Sequence, residues 1–256
     1  MKSYTICAAL LCLSMSCLAQ KNDVTKEEFS PFMTTETAPR LEQILPEPPA
    51  YNSLRYQDDV ALYEWGKSMR RTERGKQAVE DAGINASYFM KRFSPAMGIT
   101  LTPEEYPQLY RLIRRAHLTE TQAGMGIKKY YARVRPYQQF AEPSGNPGAE
   151  NATDFTSYPS GHTHASWLVG MILTAVDPAH TEGIMKTAYE LGQSRVILGF
   201  HYQSDVDNGR VAASITFARL CAMEEFQDML QKAKKEFQDK RSVPTNPSRR
   251  NNTETA

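Results

Sequence analysis

Cysteine is almost missing from the part of the chain where it could staple a fold. Of the four, Cys7, Cys12 and Cys17 fall within the first nineteen residues and only Cys221 lies beyond them. A chain that loses that leader forms no internal disulfide and depends on its hydrophobic core. An excess of one charge is missing too. Thirty Lys and Arg face 29 Asp and Glu, so no bulk field draws the chain to nucleic acid or an anionic membrane, and any cationic site must be local. Beyond the leader, no apolar run reaches the roughly 20 residues of a bilayer span; the longest, Trp167 to Val176, suits a buried helix. The five histidines form no HxxxH or HExxH pair, so no metal or other cofactor is expected. No useful length of alternating strand pattern occurs, which leaves helix as the building material.

What is present fills a single domain: 256 residues, 41% of them apolar, suffice for one well-buried core. Residues 1–19 join a basic start to an apolar run and a small-x-small ending at Cys17-Leu18-Ala19. This reads as a cleaved secretory signal, with the mature chain starting near Gln20 and the periplasm as its destination. The run is short for a spanning helix, which disfavours an uncleaved anchor. Residues 20–50, rich in Pro, Thr and Glu, read as an extended lead-in that wraps the domain rather than packing inside it. Residues 51–240 read as helices, and 241–256 as a disordered tail.

Within the helical region the periodicity predicts helices over Asp58 to Arg71, from Thr72-Glu-Arg-Gly, and from Thr102-Pro-Glu-Glu to about His117. Further helices are expected over Met125 to Tyr131, Trp167 to Val176, Glu182 to Leu198 and Val206 to Met229. The fold class expected is all-α, a single bundle-like domain with its chemistry at helix ends.

Three blocks carry that chemistry: Lys128 to Pro136 (KKYYARVRP), Pro159 to His162 (PSGH) and Ser194 to Asp205 (SRVILGFHYQSD). Phosphoryl transfer spreads negative charge over three equatorial oxygens and needs preorganised donors with an in-line nucleophile. Arg135 and Arg195 can bind phosphate oxygens in a forked manner, and Lys128 adds a point charge. Lys128 lies two helical turns before Arg135, so a shared helix face is expected, with Pro136 ending that helix. Taken singly, such cations read as solvated surface charge. Ser160 and Gly161 stand at the start of an apolar helix, where free N–H groups suit an anion; a simple helix cap by Ser160 reads equally well. His201 and Asp205 are four apart, so the carboxylate could hold one ring nitrogen and leave the other as nucleophile or base. His162 is the second candidate; His164 would point elsewhere, and His117 and His180 read as surface residues.

Together the blocks resemble the signature of the type 2 phosphatidic acid phosphatase superfamily, K-x6-R-P, P-S-G-H and S-R-x5-H-x3-D, with every fixed position present in order. Segments 45–53, 59–82, 157–163 and 199–213 are further similar to the class A bacterial non-specific acid phosphatases, and the likeness runs over roughly residues 40–225. Tyr202 and Leu198 depart from residues common in that class. The resemblance implies the all-α fold shared with vanadium haloperoxidases and metal-free hydrolysis of small phosphomonoesters through a phosphohistidine. It implies that His201 attacks phosphorus, Asp205 orients it, and His162 is general acid and then base. Lys128, Arg135, Ser160, the Gly161 N–H and Arg195 would hold the phosphoryl oxygens. It also implies an acidic pH optimum, phosphate transfer to alcohols and a homo-oligomer. Three rivals remain: a lipid phosphatase of the same superfamily, a vanadium-dependent haloperoxidase and a non-catalytic phosphate binder. The Gly- and Pro-rich segment 137–158 reads as a mobile rim shaping the leaving-group side.

Overall fold

A computed structural model describes residues 23–242. The expected signal (1–19) lies outside the described residues, as does the expected tail (241–256) except for Arg241 and Ser242, which are helical. Among these the chain is helical without a strand: α1 (Leu54–Met69), α2 (Glu73–Glu80), α3 (Ala86–Met97), α4 (Pro107–Tyr131), α5 (Pro136–Gln139), α6 (Gly161–Val176), α7 (Thr181–Leu198), α8 (Gln203–Cys221) and α9 (Glu224–Ser242), with four short 3-10 turns. The all-α expectation holds.

At the centre lies α6, packed against α7, α8, α4 and α9. Leu168, Val169, Ile172 and Leu173 are fully buried in the main core, each contributing about 1.5–3 kcal/mol by leaving water. Along α4 the buried positions Leu109, Ile113, Ala116, Glu120, Ala123 and Ile127 recur every three or four residues, one stripe of a continuous helix about 37 Å long.

Several boundaries differ from the sequence reading, each for a local reason. The helix expected from Thr102 starts at Pro107. Thr102 does accept from the Glu105 N–H, but a residue before proline is pushed out of the α region, and Tyr106 sits at φ −128°, ψ 61°. The orphan N–H groups of Gln108 and Leu109 donate instead to Glu236 of α9. No turn separates His117 from Met125. The helix expected over Val206 to Met229 breaks at Ala222 and Met223, so that Phe226, Leu230, Ala233 and Phe237 of α9 can turn into the core.

The lead-in packs more deeply than expected. Val24, Phe32, Met33 and Leu41 are buried, the Phe32 N–H donates to Thr119 Oγ1 on α4, and Arg115 lies over the Phe32 ring. It wraps the domain and contributes side chains to its core.

Candidate active site

Two backbone turns assemble the three blocks. Helix α7 ends at Leu198 with Gly199 at φ +75°, a left-handed conformation that glycine adopts without cost. A Cβ there would also meet Arg70 Nη2 at 2.4 Å. The reversal lets the N–H groups of Phe200 and His201 reach the Arg195 carbonyl, so the S-R-x5-H spacing is that of a helix C-cap folding its histidine back beside its arginine. The second turn follows α4. Ala132 adopts φ +42° and ends the helix at Tyr131; Arg135 is extended before Pro136, the first residue of α5. The expectation that Lys128 and Arg135 share a helix face ended by Pro136 is therefore corrected. They meet through the loop at Thr156, whose carbonyl accepts from Lys128 Nζ at 2.8 Å and whose hydroxyl accepts from Arg135 Nη2 at 3.2 Å.

His201 is 2% exposed. Its Nδ1 lies 2.7 Å from the Ser157 carbonyl oxygen, an acceptor only, so Nδ1 carries the proton and donates it, leaving Nε2 with the lone pair. Arg135 Nη1 donates to Nε2 at 3.1 Å. The direct hold by Asp205 expected from the four-residue spacing is corrected: Asp205 Oδ2 is 3.6 Å from Nδ1. As the N3 residue of α8, Asp205 reaches back to the N–H of the N-cap Tyr202, and Oδ2 also accepts from Ser157 Oγ at 2.6 Å. Its Oδ1 accepts from Arg133. Asp205 thus supports the residue whose carbonyl holds the histidine. Burial lowers the His201 pKa well below its ordinary value, reinforced by Arg135, Lys128 and Arg195. Burial raises that of Asp205 against the opposing charge of Arg133.

His162 follows Gly161 in the first turn of α6. Ser160 is the N-cap, its Oγ accepting from the Thr163 N–H, so the capping reading of the serine holds. The Gly161 and His162 amides belong to the set of first-turn donors that a helix cannot satisfy itself. A Cβ at Gly161 would make only ordinary contacts, with Glu120 Oε1 at 3.5 Å, so packing does not demand glycine there. His162 Nε2 donates to the Ala82 carbonyl at 3.1 Å, leaving the lone pair of the neutral ring on Nδ1. Burial depresses its pKa well below the ordinary value, with Arg195 next.

A cavity of about 210 Å³ is lined by Ala82, Arg135, Asn146, Ala149, Asp154, His162, Arg195 and Phe200. Arg195, 5% exposed, lies over the Phe200 ring, and its buried Nε has no hydrogen-bond partner among the described residues. Burial, then Arg135, push its pKa down to about 9. Lys128 Nζ donates to the Thr156 and Pro159 carbonyls; enclosure and Arg135 push its pKa down to about 8. Cations held this way, with their charges facing one another, make a built anion site. A larger cavity of about 490 Å³ between α1 and α8 has no histidine in its wall.

Sequence reasoning missed several participants. Asp154, in the expected mobile rim, pairs with Arg135 at 2.8 Å and lines the cavity. Asp59 and Asp81 are buried carboxylates distant from every block in sequence, yet bonded to Arg133 and Ser194 of the blocks. Among the remaining histidines, His164 is buried against Thr216. His117 is not the expected surface residue: its Nδ1 is 3.5 Å from Glu120 and 12% of its side chain is exposed. Among the described residues no helix is long and apolar enough to cross a membrane.

The model of the PAP2 superfamily matches residues 116–226, which span all three blocks. The chain is 37% identical over 220 residues to a non-specific acid phosphatase of Providencia stuartii, covering 84% of this chain and 88% of that one. It is 34% identical to the non-specific acid phosphatase of Salmonella typhimurium, over 85% and 88% of the two chains. An acid phosphatase of Zymomonas mobilis is 29% identical over 80% and 77%.

Proposed function

The chain belongs to the PAP2 superfamily as an acid phosphatase, a phosphoric monoester hydrolase, and from its geometry we propose that it works through a phosphohistidine formed on His201. The observation that carries this reading is the pairing of tautomers. His201 is anchored through Nδ1 and His162 through Nε2, so His162 keeps Nδ1 free in the cavity wall and His201 keeps its Nε2 lone pair for Arg135 of that same wall, a contact a phosphate can take over.

His201 Nε2 attacks phosphorus in line as the P–O bond to the leaving group breaks. The leaving oxygen takes the proton on Nδ1 of the His162 imidazolium, and Arg135, Arg195, Lys128 and the Gly161 N–H balance the phosphoryl charge. Water then gives a proton to His162 Nδ1 and attacks phosphorus, releasing orthophosphate and restoring Nε2. An alcohol in place of water would receive the phosphoryl group instead, which is the transferase side activity expected from the resemblance.

Both histidines have depressed pKa values. Activity needs His201 neutral and His162 protonated. Burial and the neighbouring cations favour the neutral form of both rings, so His201 is kept neutral, and His162 needs an acidic solution and a bound phosphate anion that offsets Arg195 and Arg135 to hold its proton. The optimum is therefore acidic. The likeness to acid phosphatases named non-specific supports broad specificity, and the signal-like pattern of residues 1–19 supports export to the periplasm.

The test is hydrolysis of p-nitrophenyl phosphate from pH 4 to 9 with excess chelator, beside His201→Ala. The enzyme is taken from the periplasmic fraction, where its N-terminus should fall near Gln20. Chelator-resistant activity peaking below neutrality and abolished in the variant is expected; activity rising steadily to alkaline pH would sink the assignment.

A further inference from the structure

Arg133 lies inside the first block at a position the superfamily pattern leaves open, and the mechanism above gives it no role. It is nevertheless among the most enclosed cations of the protein, 6% exposed. Its guanidinium bridges two buried carboxylates: Nη1 donates to Asp205 Oδ1 at 2.5 Å and Nη2 to Asp59 Oδ2 at 2.9 Å. One face of it covers the Tyr202 ring at 4.0 Å.

Asp59, on α1, is 2% exposed. It is locked in turn by the Ser204 N–H on Oδ1 and the Ser204 hydroxyl on Oδ2. The backbone repeats the pattern, because the Ser157 N–H donates to the Arg133 carbonyl and the Ser160 N–H to the Asp205 carbonyl. Every link from Asp59 to the His201 ring is a direct hydrogen bond, and neither Asp59 nor Arg133 lines the phosphate cavity.

We propose that Arg133, clamped by Asp59, is a positioning residue for the nucleophile: it fixes Asp205, Asp205 fixes Ser157, and the Ser157 carbonyl sets the His201 ring for attack. This rests on the phosphohistidine reading and deepens it. A chain of rigid hydrogen bonds behind a nucleophile acts on the chemical step and leaves ground-state binding of phosphate to other residues. It also fixes charge. Burial favours the neutral Asp205 carboxyl and Arg133 opposes it, with Lys128, Tyr158, Tyr202 and His201 completing its surroundings. A neutral Asp205 would exchange an acceptor for a donor and rearrange the Ser157 contact.

The experiment compares Arg133→Met, Arg133→Lys and Asp59→Asn with the unaltered full chain and with His201→Ala. Readouts are kcat and KM for p-nitrophenyl phosphate from pH 4 to 8, product inhibition by orthophosphate, and the thermal midpoint. Arg133→Met and Asp59→Asn should lower kcat about 10- to 100-fold, with KM and orthophosphate inhibition within about threefold, and Arg133→Lys should recover part of the loss. The acidic limb should move to higher pH in Arg133→Met, because Asp205 then takes up its proton earlier. In Asp59→Asn it should not rise, because that change removes a negative charge from the same network.

Unchanged kcat and acidic limb in folded variants would overturn the proposal, as would a loss of kcat that only tracks the folded fraction. Should Arg133→Met fail to fold, Asp59→Asn and Arg133→Lys carry the same comparison. Turnover surviving in His201→Ala would instead remove the phosphohistidine reading itself.

Discussion

The walls behind the two site histidines are built alike and differ in where the chain finds the parts. Each ring is held by one backbone carbonyl, Ser157 for His201 and Ala82 for His162, and a buried carboxylate stands behind each carbonyl. Behind His201 it is Asp205, tied to Arg133 and Asp59. Behind His162 it is Asp81, the neighbour of Ala82 in sequence. Asp81 accepts from Arg92 Nε at 2.8 Å, Tyr88 at 3.1 Å and Ser194 Oγ at 2.6 Å. The serine of the third block therefore reaches the wall of His162 from a distance, by tying α7 to the turn between α2 and α3. His201 is enclosed, whereas His162 lines the cavity, as the roles proposed for them require. A nucleophile gains from fixed orientation in a dry site, and a general acid must reach a leaving group that varies with the substrate.

The strongest way to break this comparison is through the leaving group. His162→Ala should slow hydrolysis of an alkyl phosphate such as glycerol phosphate about 10²- to 10⁴-fold. It should lower kcat/KM for p-nitrophenyl phosphate far less, since that ratio reports only the step in which nitrophenolate leaves without a proton, whereas kcat for both substrates also carries the loss of the base that activates water. His201→Ala should remove turnover of both equally. Equal penalties on kcat/KM for the two substrates in His162→Ala would show that it is not the acid.

Next in size is the wall itself. Asp81→Ala leaves Arg92, Tyr88 and Ser194 facing a buried gap, and chemical denaturation should show a loss of about 3–5 kcal/mol, the cost of breaking a buried ion pair. A loss below about 1 kcal/mol would mean that Asp81 does not hold the turn beside His162.

The smallest effect concerns a histidine outside both walls. Burial pushes His164 down to about 4. A histidine whose folded pKa is depressed binds more protons when unfolded, so it contributes stability above about pH 6.5 that is lost as the pH falls toward 4. His164→Gln should flatten the decline between pH 7 and pH 4 by on the order of 1–3 kcal/mol, read from thermal or denaturant midpoints at the two pH values. An unchanged slope would show that His164 does not titrate in that range.

Much of this was legible along the chain. Helical periodicity marks α1, α2, α6 and α7 because packing one face of a helix into a core writes itself as a 3.6-residue repeat. The three blocks were legible because a helix cap, a proline and a histidine folded back past a glycine fix local geometry within a few residues. Helix ends set from afar were not: α4 begins where Pro107 and Glu236 of α9 decide, and α8 breaks where α9 must turn inward.

What the sequence by itself determined is the inventory: an all-helical domain, three cations, two histidines and an aspartate in a fixed order, and through them the family. Tertiary structure alone decided who touches whom. The spacing of His201 and Asp205 invites a direct pair, yet the carboxylate spends its lone pairs on Arg133, Ser157 and Tyr202, and a main-chain carbonyl takes the histidine proton. Asp59 lies 74 residues from Arg133 and Asp81 lies 113 from Ser194, and no local pattern encodes such partners. Burial is the physical reason. A charge removed from water must find its counterpart wherever the packed chain places one, and that place exists only after the helices have docked.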